Sequence, residues 1–135
     1  MAAKTRIVCP HCKKAENIHD LNAPCPACGR PMDIPQEGVI YIYRQGSFYG
    51  IAGGFGIYLN EQPFGYIGNK ELLRIPVKFG TYNIHCAVGM SRKCRDMQVT
   101  VSPQNRAVYA KVYIKPGAWA NSFVVEPVDP KLLEF

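Results

Sequence analysis

The chain has 135 residues, 47% of them hydrophobic and 19% charged, which is the composition of a globular protein long enough to bury a core. Its eleven prolines, twelve glycines, eight tyrosines and six phenylalanines favour strands and turns over helices. No segment approaches the roughly 20 apolar residues of a membrane span, and a formal net charge of +6 leaves a nucleic-acid partner open without requiring one.

The first ten residues carry two cations, Lys4 and Arg6, but no apolar stretch of the length found in a signal peptide. Two CxxC motifs follow, and a reducing compartment keeps such thiols available for metal instead of joining them in disulfides. We therefore expect a soluble protein that resides in the cytoplasm.

Two near-identical knuckles dominate residues 7–32, with twelve residues between them. Each CxxC knuckle presents two thiolates on one turn, and four thiolates complete the tetrahedral shell of zinc. The segment has too few apolar residues for a core, so its folding free energy must come from a cross-link. Cys9, Cys12, Cys25 and Cys28 are predicted to bind one structural Zn²⁺. The motifs Cys9-Pro-His-Cys12 and Cys25-Pro-Ala-Cys28 resemble the zinc ribbons of many bacterial proteins.

The first knuckle has a second interpretation, because Cys9-Pro-His-Cys12 alone is compatible with a thiol oxidoreductase motif. Those motifs stand at a helix start within a strand-helix-strand pattern, which this sequence lacks. His11 and His19 lie close enough in sequence to compete for the metal. Four cysteines already fill the shell and leave no position for a catalytic water, so we expect both histidines to be exposed ribbon residues.

The pattern changes after the ribbon. We expect a zinc ribbon in residues 1–34, a linker in 35–38, a β-sandwich in 39–130 and a tail in 131–135. Short strand candidates separated by Gly, Pro and Asn turns predict a mainly β fold, an antiparallel sandwich of seven or eight strands. In chain order the eight main candidates are Val39–Gln45, Gly56–Leu59, Phe64–Ile67, Leu72–Val77, Gly80–Val88, Cys94–Val101, Ala107–Lys115 and Phe123–Val128. The glycine-rich segment Ser47–Ala52 is a weaker candidate that could pair only at an edge.

Two local patterns support this assignment. The turn Asn60-Glu61-Gln62-Pro63 predicts a hairpin between its flanking strands. Between Ala107 and Lys115 apolar and polar residues alternate, as in a strand with one buried face. The residues predicted to face the core are Val108, Ala110, Val112 and Ile114, and those predicted to face the wetter side are Tyr109, Lys111, Tyr113 and Lys115.

The β part also resembles a known class of domains. The segments Val39-Ile-Tyr-Ile-Tyr-Arg44, Ile57-Tyr-Leu-Asn-Glu-Gln-Pro-Phe-Gly65 and Phe79-Gly-Thr-Tyr-Asn-Ile84 are similar to those of small bacterial sandwich domains of the PEGA type and of related uncharacterised lipoprotein domains. In these domains a strand, an Asn/Asp-Gly turn and a later Gly-x-Tyr element recur. Glu61 replaces the usual turn glycine here. The resemblance spans about residues 39–128 and implies a non-catalytic sandwich without assigning site residues.

Cys86 and Cys94 bracket a seven-residue segment that contains Met90. A hairpin centred on Met90 would place the two cysteines directly opposite one another, within reach of a disulfide. In a reducing compartment we expect free thiols, either as small half-buried side chains or as a redox latch. His85 has no carboxylate partner nearby in the sequence, so we expect an ordinary sheet residue.

No pattern in the sequence equips the chain for catalysis. The sequence lacks a nucleophile paired with a base, a pair of carboxylates and an open metal site, so we expect a protein that is not an enzyme. Residues 50–56 are glycine-rich like a phosphate-binding loop, but the Lys-Ser/Thr that such a loop requires does not follow.

Two segments are candidate contact surfaces. Phe48, Tyr49, Ile51 and Phe55 lie among glycines that give little room to bury them, so we expect a protein contact or self-association surface there. The alternative is that these side chains fold back to cap the sandwich. Arg92, Lys93 and Arg95 form the densest basic cluster and could contact phosphate, or simply be solvated.

The sequence therefore predicts a non-catalytic binding or assembly module made of a zinc ribbon and a β-sandwich. The alternative is a nucleic-acid-binding accessory protein that uses the basic cluster together with ribbon cations such as Lys13 and Lys14. The tyrosines at 41, 43, 49, 58, 109 and 113 could then stack on bases, although such tyrosines are more often ordinary half-buried residues of a sheet.

Overall fold

The computed structural model describes residues 3–20, 22–45, 54–87, 94–115 and 122–133. These residues form eleven strands and one short 3-10 helix, which confirms the mainly β prediction. The strands are β1 (Ala3–Val8), β2 (Ala15–Ile18), β3 (Gly38–Arg44), β4 (Phe55–Leu59), β5 (Gln62–Ile67), β6 (Leu72–Val77), β7 (Gly80–Ala87), β8 (Cys94–Arg95), β9 (Met97–Val101), β10 (Ala107–Lys115) and β11 (Ser122–Pro127), and the 3-10 helix is Pro130–Leu133.

The strands build two sheets. The larger has seven strands in the order β2-β1-β6-β3-β10-β11-β8, and the smaller has four in the order β5-β4-β7-β9. One apolar core draws side chains from both sheets, including Ile40 and Ile75 of the larger and Ile57 and Ile84 of the smaller, all fully buried. Apolar side chains from two sheets that meet in one layer define a sandwich.

The larger sheet is mixed, so the prediction of an antiparallel sandwich is wrong in this detail. β3 runs parallel to β10, with Val39 opposite Ala107, and two further parallel pairs join β1 to β6 and β8 to β11. The alternation in β10 was interpreted correctly, since Val108, Ala110 and Val112 are buried. Alternation fixes which face of a strand is buried, but not the direction of its neighbour.

The ribbon is part of the larger sheet. β1 and β2, which the sequence did not predict as strands, form an antiparallel pair, and β1 continues the sheet through a parallel pairing in which Thr5 lies opposite Arg74. The expected linker at 35–38 ends inside β3, whose first residue is Gly38. β1 and β2 of the ribbon therefore extend the larger sheet of the sandwich.

The predicted strand Cys94–Val101 is two strands that belong to different sheets. β8 pairs with β11 of the larger sheet, with Cys94 opposite Phe123, whereas β9 pairs with β7 of the smaller sheet. Asp96 stands between them. A strand that changes sheets forms a corner of a sandwich, and this corner closes the end of the sheet farthest from the ribbon.

The hairpin predicted at residues 60–63 is confirmed between β4 and β5. Asn60 and Glu61 have φ angles of 49° and 68°, so both central residues adopt the left-handed conformation of a type I′ turn. Asn tolerates this conformation, whereas Glu does so at a cost. The edge strand predicted at Ser47–Ala52 lies outside the described residues. Within the described ranges, no helix has the length and apolar character needed to cross a membrane.

Candidate metal centre

The two knuckles have the same backbone structure. The amide of Cys9 donates to the carbonyl of Lys14, and the amide of Cys25 donates to the carbonyl of Arg30. In both knuckles the acceptor is the fifth residue after the cysteine. In each knuckle the fourth residue after the first cysteine has a positive φ, 61° at Lys13 and 75° at Gly29. The repeated CxxC motif therefore encodes a repeated turn.

These turns bring the four predicted ligands together. The Sγ atoms of Cys9 and Cys28 lie 3.7 Å apart, and so do those of Cys12 and Cys25. Zinc with four sulfurs at about 2.3 Å requires sulfur pairs about 3.8 Å apart at the corners of its tetrahedron. The four thiols can hold a metal ion, and their spacing fits a tetrahedral thiolate site.

Backbone hydrogen bonds prepare the sulfurs for that role. The amide of Ala27 donates to Cys25 Sγ at 3.4 Å, the type of N–H···S bond that orients thiolate ligands. A hydrogen bond from the backbone of Cys12 is the main cause that lowers the pKa of Cys9 to about 6. A backbone hydrogen bond from Lys14 lowers the pKa of Cys12, but burial and bonds with the other three thiols outweigh it and raise this pKa to about 11. Within the cluster, Cys9 is thus the thiol that ionises more easily than Cys12. Cys9 and Cys25 are buried in a small cluster that includes Ile18 and Met32.

Neither ribbon histidine belongs to the thiol cluster. His11 Nε2 lies 3.1 Å from the carbonyl oxygen of Pro31, and both His11 and His19 are exposed. The metal-competent group in this part of the described chain consists of the four cysteines.

Arg6 fastens the ribbon to the sandwich. This side chain of β1 is only 8% exposed and donates from Nη1 to the carbonyls of Phe64 and Tyr66 in β5, at 2.9 and 3.0 Å. Its Nε donates to Asn17 Oδ1 of β2, and its Nη2 lies 3.9 Å from Glu71. One guanidinium thus joins both ribbon strands to the edge of the smaller sheet and to the turn before β6.

Where the ribbon meets the sandwich around Arg6, one close contact lies beside an open cavity. A Cβ atom on Gly65, whose φ is 77°, would lie 2.7 Å from Arg6 Nη1, so glycine permits the close approach. Beside it a hollow of about 290 Å³ is lined by residues of both parts, among them Met32, Ile34 and Phe64. Hydrogen bonds and strand pairing, more than apolar packing, therefore hold the ribbon in place.

A second group of ligand-type side chains was missed by sequence reasoning. His85 Nδ1 lies 2.7 Å from Asp96 Oδ1, and Cys94 completes a cluster whose donor atoms all lie within 4.8 Å of one another. His85 therefore has a carboxylate partner eleven residues away in sequence, contrary to our expectation. The signal was the His-x8-Cys-x-Asp spacing, but only the β7–β9 register shows that these residues meet.

Cys86 and Cys94 lie close together, since the backbone of Cys86 hydrogen-bonds to Cys94, but they belong to strands of different sheets. The hairpin predicted around Met90 lies outside the described residues. Cys86 is fully buried on β7 of the smaller sheet, while Cys94 is half-buried on β8 of the larger sheet. Both are free thiols. Burial is the main cause that raises the pKa of each, that of Cys94 to about 12, so neither is activated as a nucleophile in the absence of metal.

Phe55 is a core residue and is not available to a partner. It is 1% exposed, packs edge-on against Phe123 with ring centroids 5.1 Å apart, and lies under the guanidinium of Arg44 at 3.6 Å. Phe55 is therefore not part of the predicted contact surface. Its burial agrees with the alternative in which these side chains fold back onto the sandwich. The other members, Phe48, Tyr49 and Ile51, lie outside the described residues.

Of the predicted phosphate contacts, Arg95 is exposed on β8, and Arg92 and Lys93 lie outside the described residues. The structure shows a different basic and aromatic surface on the outer face of the larger sheet. Tyr41 and Tyr109 stack with ring centroids 5.0 Å apart and planes 5° apart. The other members of this surface, which we name the tyrosine face, are Tyr43, Tyr113, Lys111 and Arg74, all half-buried.

No family model, curated protein or solved structure matches the chain. The resemblance of residues 39–128 to PEGA-type domains consequently rests on the sequence segments alone and stays a hypothesis.

Proposed function

We propose that the chain is a non-catalytic binding or assembly module of the bacterial cytoplasm in which one structural zinc ion holds the ribbon in place. The main support is the pair of 3.7 Å sulfur separations. Four thiolates fill a tetrahedral shell, so the ion has no position for a substrate or a reactive water. Its effect is to fix β1 and β2, which form one end of the larger sheet.

Metal analysis of protein purified without added zinc tests this proposal. About one equivalent of zinc per chain is expected to remain bound, because four thiolates saturate one ion. Substoichiometric metal together with a disulfide between Cys9 and Cys12 would contradict a structural role for the metal.

The tyrosine face favours a second candidate function, binding of single-stranded nucleic acid. Stacked aromatic rings offer a platform to bases, and neighbouring cations neutralise phosphates. Tyr41 lies opposite Tyr109 on one side and Arg74 on the other, and Tyr43 lies opposite Lys111, so rings and cations are interleaved. Glu126 reduces the charge locally, since its carboxylate lies 3.5 Å from Lys111 Nζ.

Binding to mixed DNA and RNA oligonucleotides at several salt concentrations separates the two candidates. If the tyrosine face binds, Tyr41→Ala combined with Tyr109→Ala should weaken binding about tenfold or more. Arg74→Gln should lower the slope of the logarithm of the binding constant against the logarithm of salt concentration by about one, since one phosphate contact is lost. Tyr66→Ala is the matched control, because Tyr66 is 68% exposed on β5. Absence of binding at low salt would exclude the nucleic-acid function.

A further inference from the structure

We propose that His85, Cys94 and Asp96 form a second metal site, which binds a divalent transition-metal ion such as Zn²⁺ and leaves one coordination position open. The three donor atoms lie within 4.8 Å of one another. They are an imidazole nitrogen, a sulfur and a carboxylate oxygen. Zinc accepts all three donor types, whereas Mg²⁺ and Ca²⁺ require shells of oxygen.

The present contacts need only a small change to accept an ion. Around zinc, a nitrogen and an oxygen ligand at about 2.0–2.1 Å lie about 3.3 Å apart in a tetrahedron. His85 Nδ1 and Asp96 Oδ1 lie 2.7 Å apart with a proton between them, so the ion would replace that proton and separate the two atoms by less than about 1 Å. Cys94 would release its thiol proton on coordination.

The fold positions these ligands from both sheets. His85 is on β7 of the smaller sheet, Cys94 is on β8 of the larger sheet, and Asp96 is the residue at which the chain crosses between them. An ion here would therefore cross-link the two sheets at the end of the larger sheet opposite the ribbon.

Neighbouring side chains already orient the ligands, as outer-shell groups do in metal sites. Asn83 Nδ2 donates to Asp96 Oδ2 at 3.0 Å, which leaves Oδ1 directed toward His85. The backbone of Asn83 is also fixed, because its backbone N–H donates to Asn60 Oδ1 at 2.8 Å. On the other side, the ring of Tyr58 packs against His85 with centroids 5.6 Å apart.

The cluster is also accessible to an ion from solvent. The side chains of His85 and Asp96 are 29% and 37% exposed, and Cys94 is half-buried. An ion can thus reach His85 and Asp96 from solvent, and Cys94 lies beside them at the border of the core. With three protein ligands, the fourth position remains for water or a small ligand, in contrast to the closed four-thiol site.

The proposal is tested by adding Zn²⁺, and separately Co²⁺, to protein whose ribbon already holds its one equivalent of zinc. Equilibrium dialysis against Zn²⁺ should give a second equivalent, and Co²⁺ should produce the charge-transfer absorption of a single thiolate ligand. His85→Gln and Asp96→Asn, both at accessible positions, each remove one of the three ligands. Each should weaken binding of this second equivalent by more than the roughly 10–100-fold that loss of an outer-shell partner costs. Asn83→Ala should weaken it about tenfold, since it acts through Asp96.

The matched controls are His19→Gln and Asp20→Asn, the same chemical changes at exposed ribbon positions. They should retain the second equivalent, and every variant should retain the zinc of the ribbon. A wild-type protein that binds no second equivalent would overturn the proposal. A second equivalent with equal affinity in His85→Gln, Asp96→Asn and the controls would also overturn it, because the ion would then bind elsewhere.

Discussion

The ribbon and the sandwich reach stability by different means. Among the described residues, the buried cluster of the ribbon has five members, and two of these are the metal-type ligands Cys9 and Cys25, whereas the sandwich core has eighteen. A cluster of five side chains cannot offset the conformational entropy of some thirty ordered residues. The ribbon must therefore depend on its metal and on its attachment to β6, while the sandwich depends on apolar burial.

The largest expected effect is loss of the metal. Cys25→Ser removes one ligand, and thiolate zinc sites contribute on the order of 10 kcal/mol to folding of small domains. We expect the β1–β2 pair to unfold while the sandwich keeps its strands, with reduced stability because the edge of β6 is exposed. Amide hydrogen exchange measures this directly, as protection should disappear from residues 3–20 and persist in β10. Simultaneous loss of protection in residues 3–20 and in β10 would show that the ribbon and the sandwich fold as one unit.

The second effect concerns the sandwich alone. Phe55→Ala should lower the free energy of unfolding by about 3–5 kcal/mol, since it removes a buried ring and the surface on which Arg44 lies. Metal content should not change. Phe79→Ala is the control, because Phe79 is 38% exposed and its ring lies at the surface. Urea unfolding of both variants gives the comparison, and equal destabilisation would argue against a buried Phe55.

The attachment between the parts should have a smaller effect. Arg6→Met keeps most of the side-chain volume but leaves the carbonyls of Phe64 and Tyr66 without their donor, at an expected cost of about 1–3 kcal/mol. Zinc should then be lost to a chelator faster, because the ribbon is held less firmly. Lys4→Met provides the control, since Lys4 is an exposed cation with a surface ion pair to Glu71. Equal chelation rates in the two variants would show that Arg6 does not couple the parts.

The smallest expected effect is an increase in stability. Glu61→Gly relieves a positive φ of 68° in the type I′ turn, and Asn-Gly is the pair that this turn prefers. The free energy of unfolding should rise by about 0.5–1 kcal/mol, with no change in metal binding. Thermal unfolding measures the shift, and a lower melting temperature would indicate that the Glu61 side chain stabilises the turn.

Local patterns in the sequence were reliable guides to local structure. The alternation from Val108 to Val112 gave the buried face of β10, the CxxC motifs gave the two knuckles, and Asn60 marked the hairpin turn. Each of these features depends on the spacing of residues within one short segment. Such spacing is visible in the chain itself.

Features that depend on pairing between distant segments were missed. The sequence does not show that β1 lies beside β6 or that the guanidinium of Arg44 covers the ring of Phe55. It contains the spacing of His85, Cys94 and Asp96, but not the pairing that brings them together. The sequence does not mark Arg6 or Arg44 as buried, yet both are, and carbonyl groups of β5 accept their hydrogen bonds. Burial of a charge is decided by partners that periodicity does not reveal.

The parallel pairing of β3 with β10 affects how quickly the chain can fold. Val39 and Ala107 are separated by about half of the sequence, and both strands lie in the middle of the larger sheet. The chain must lose the entropy of closing that loop before the central pair contributes any stability. Proteins dominated by such non-local contacts fold on a scale of about milliseconds to seconds. During that interval the apolar face of β3, with Ile40 and Ile42, is exposed to other unfolded chains.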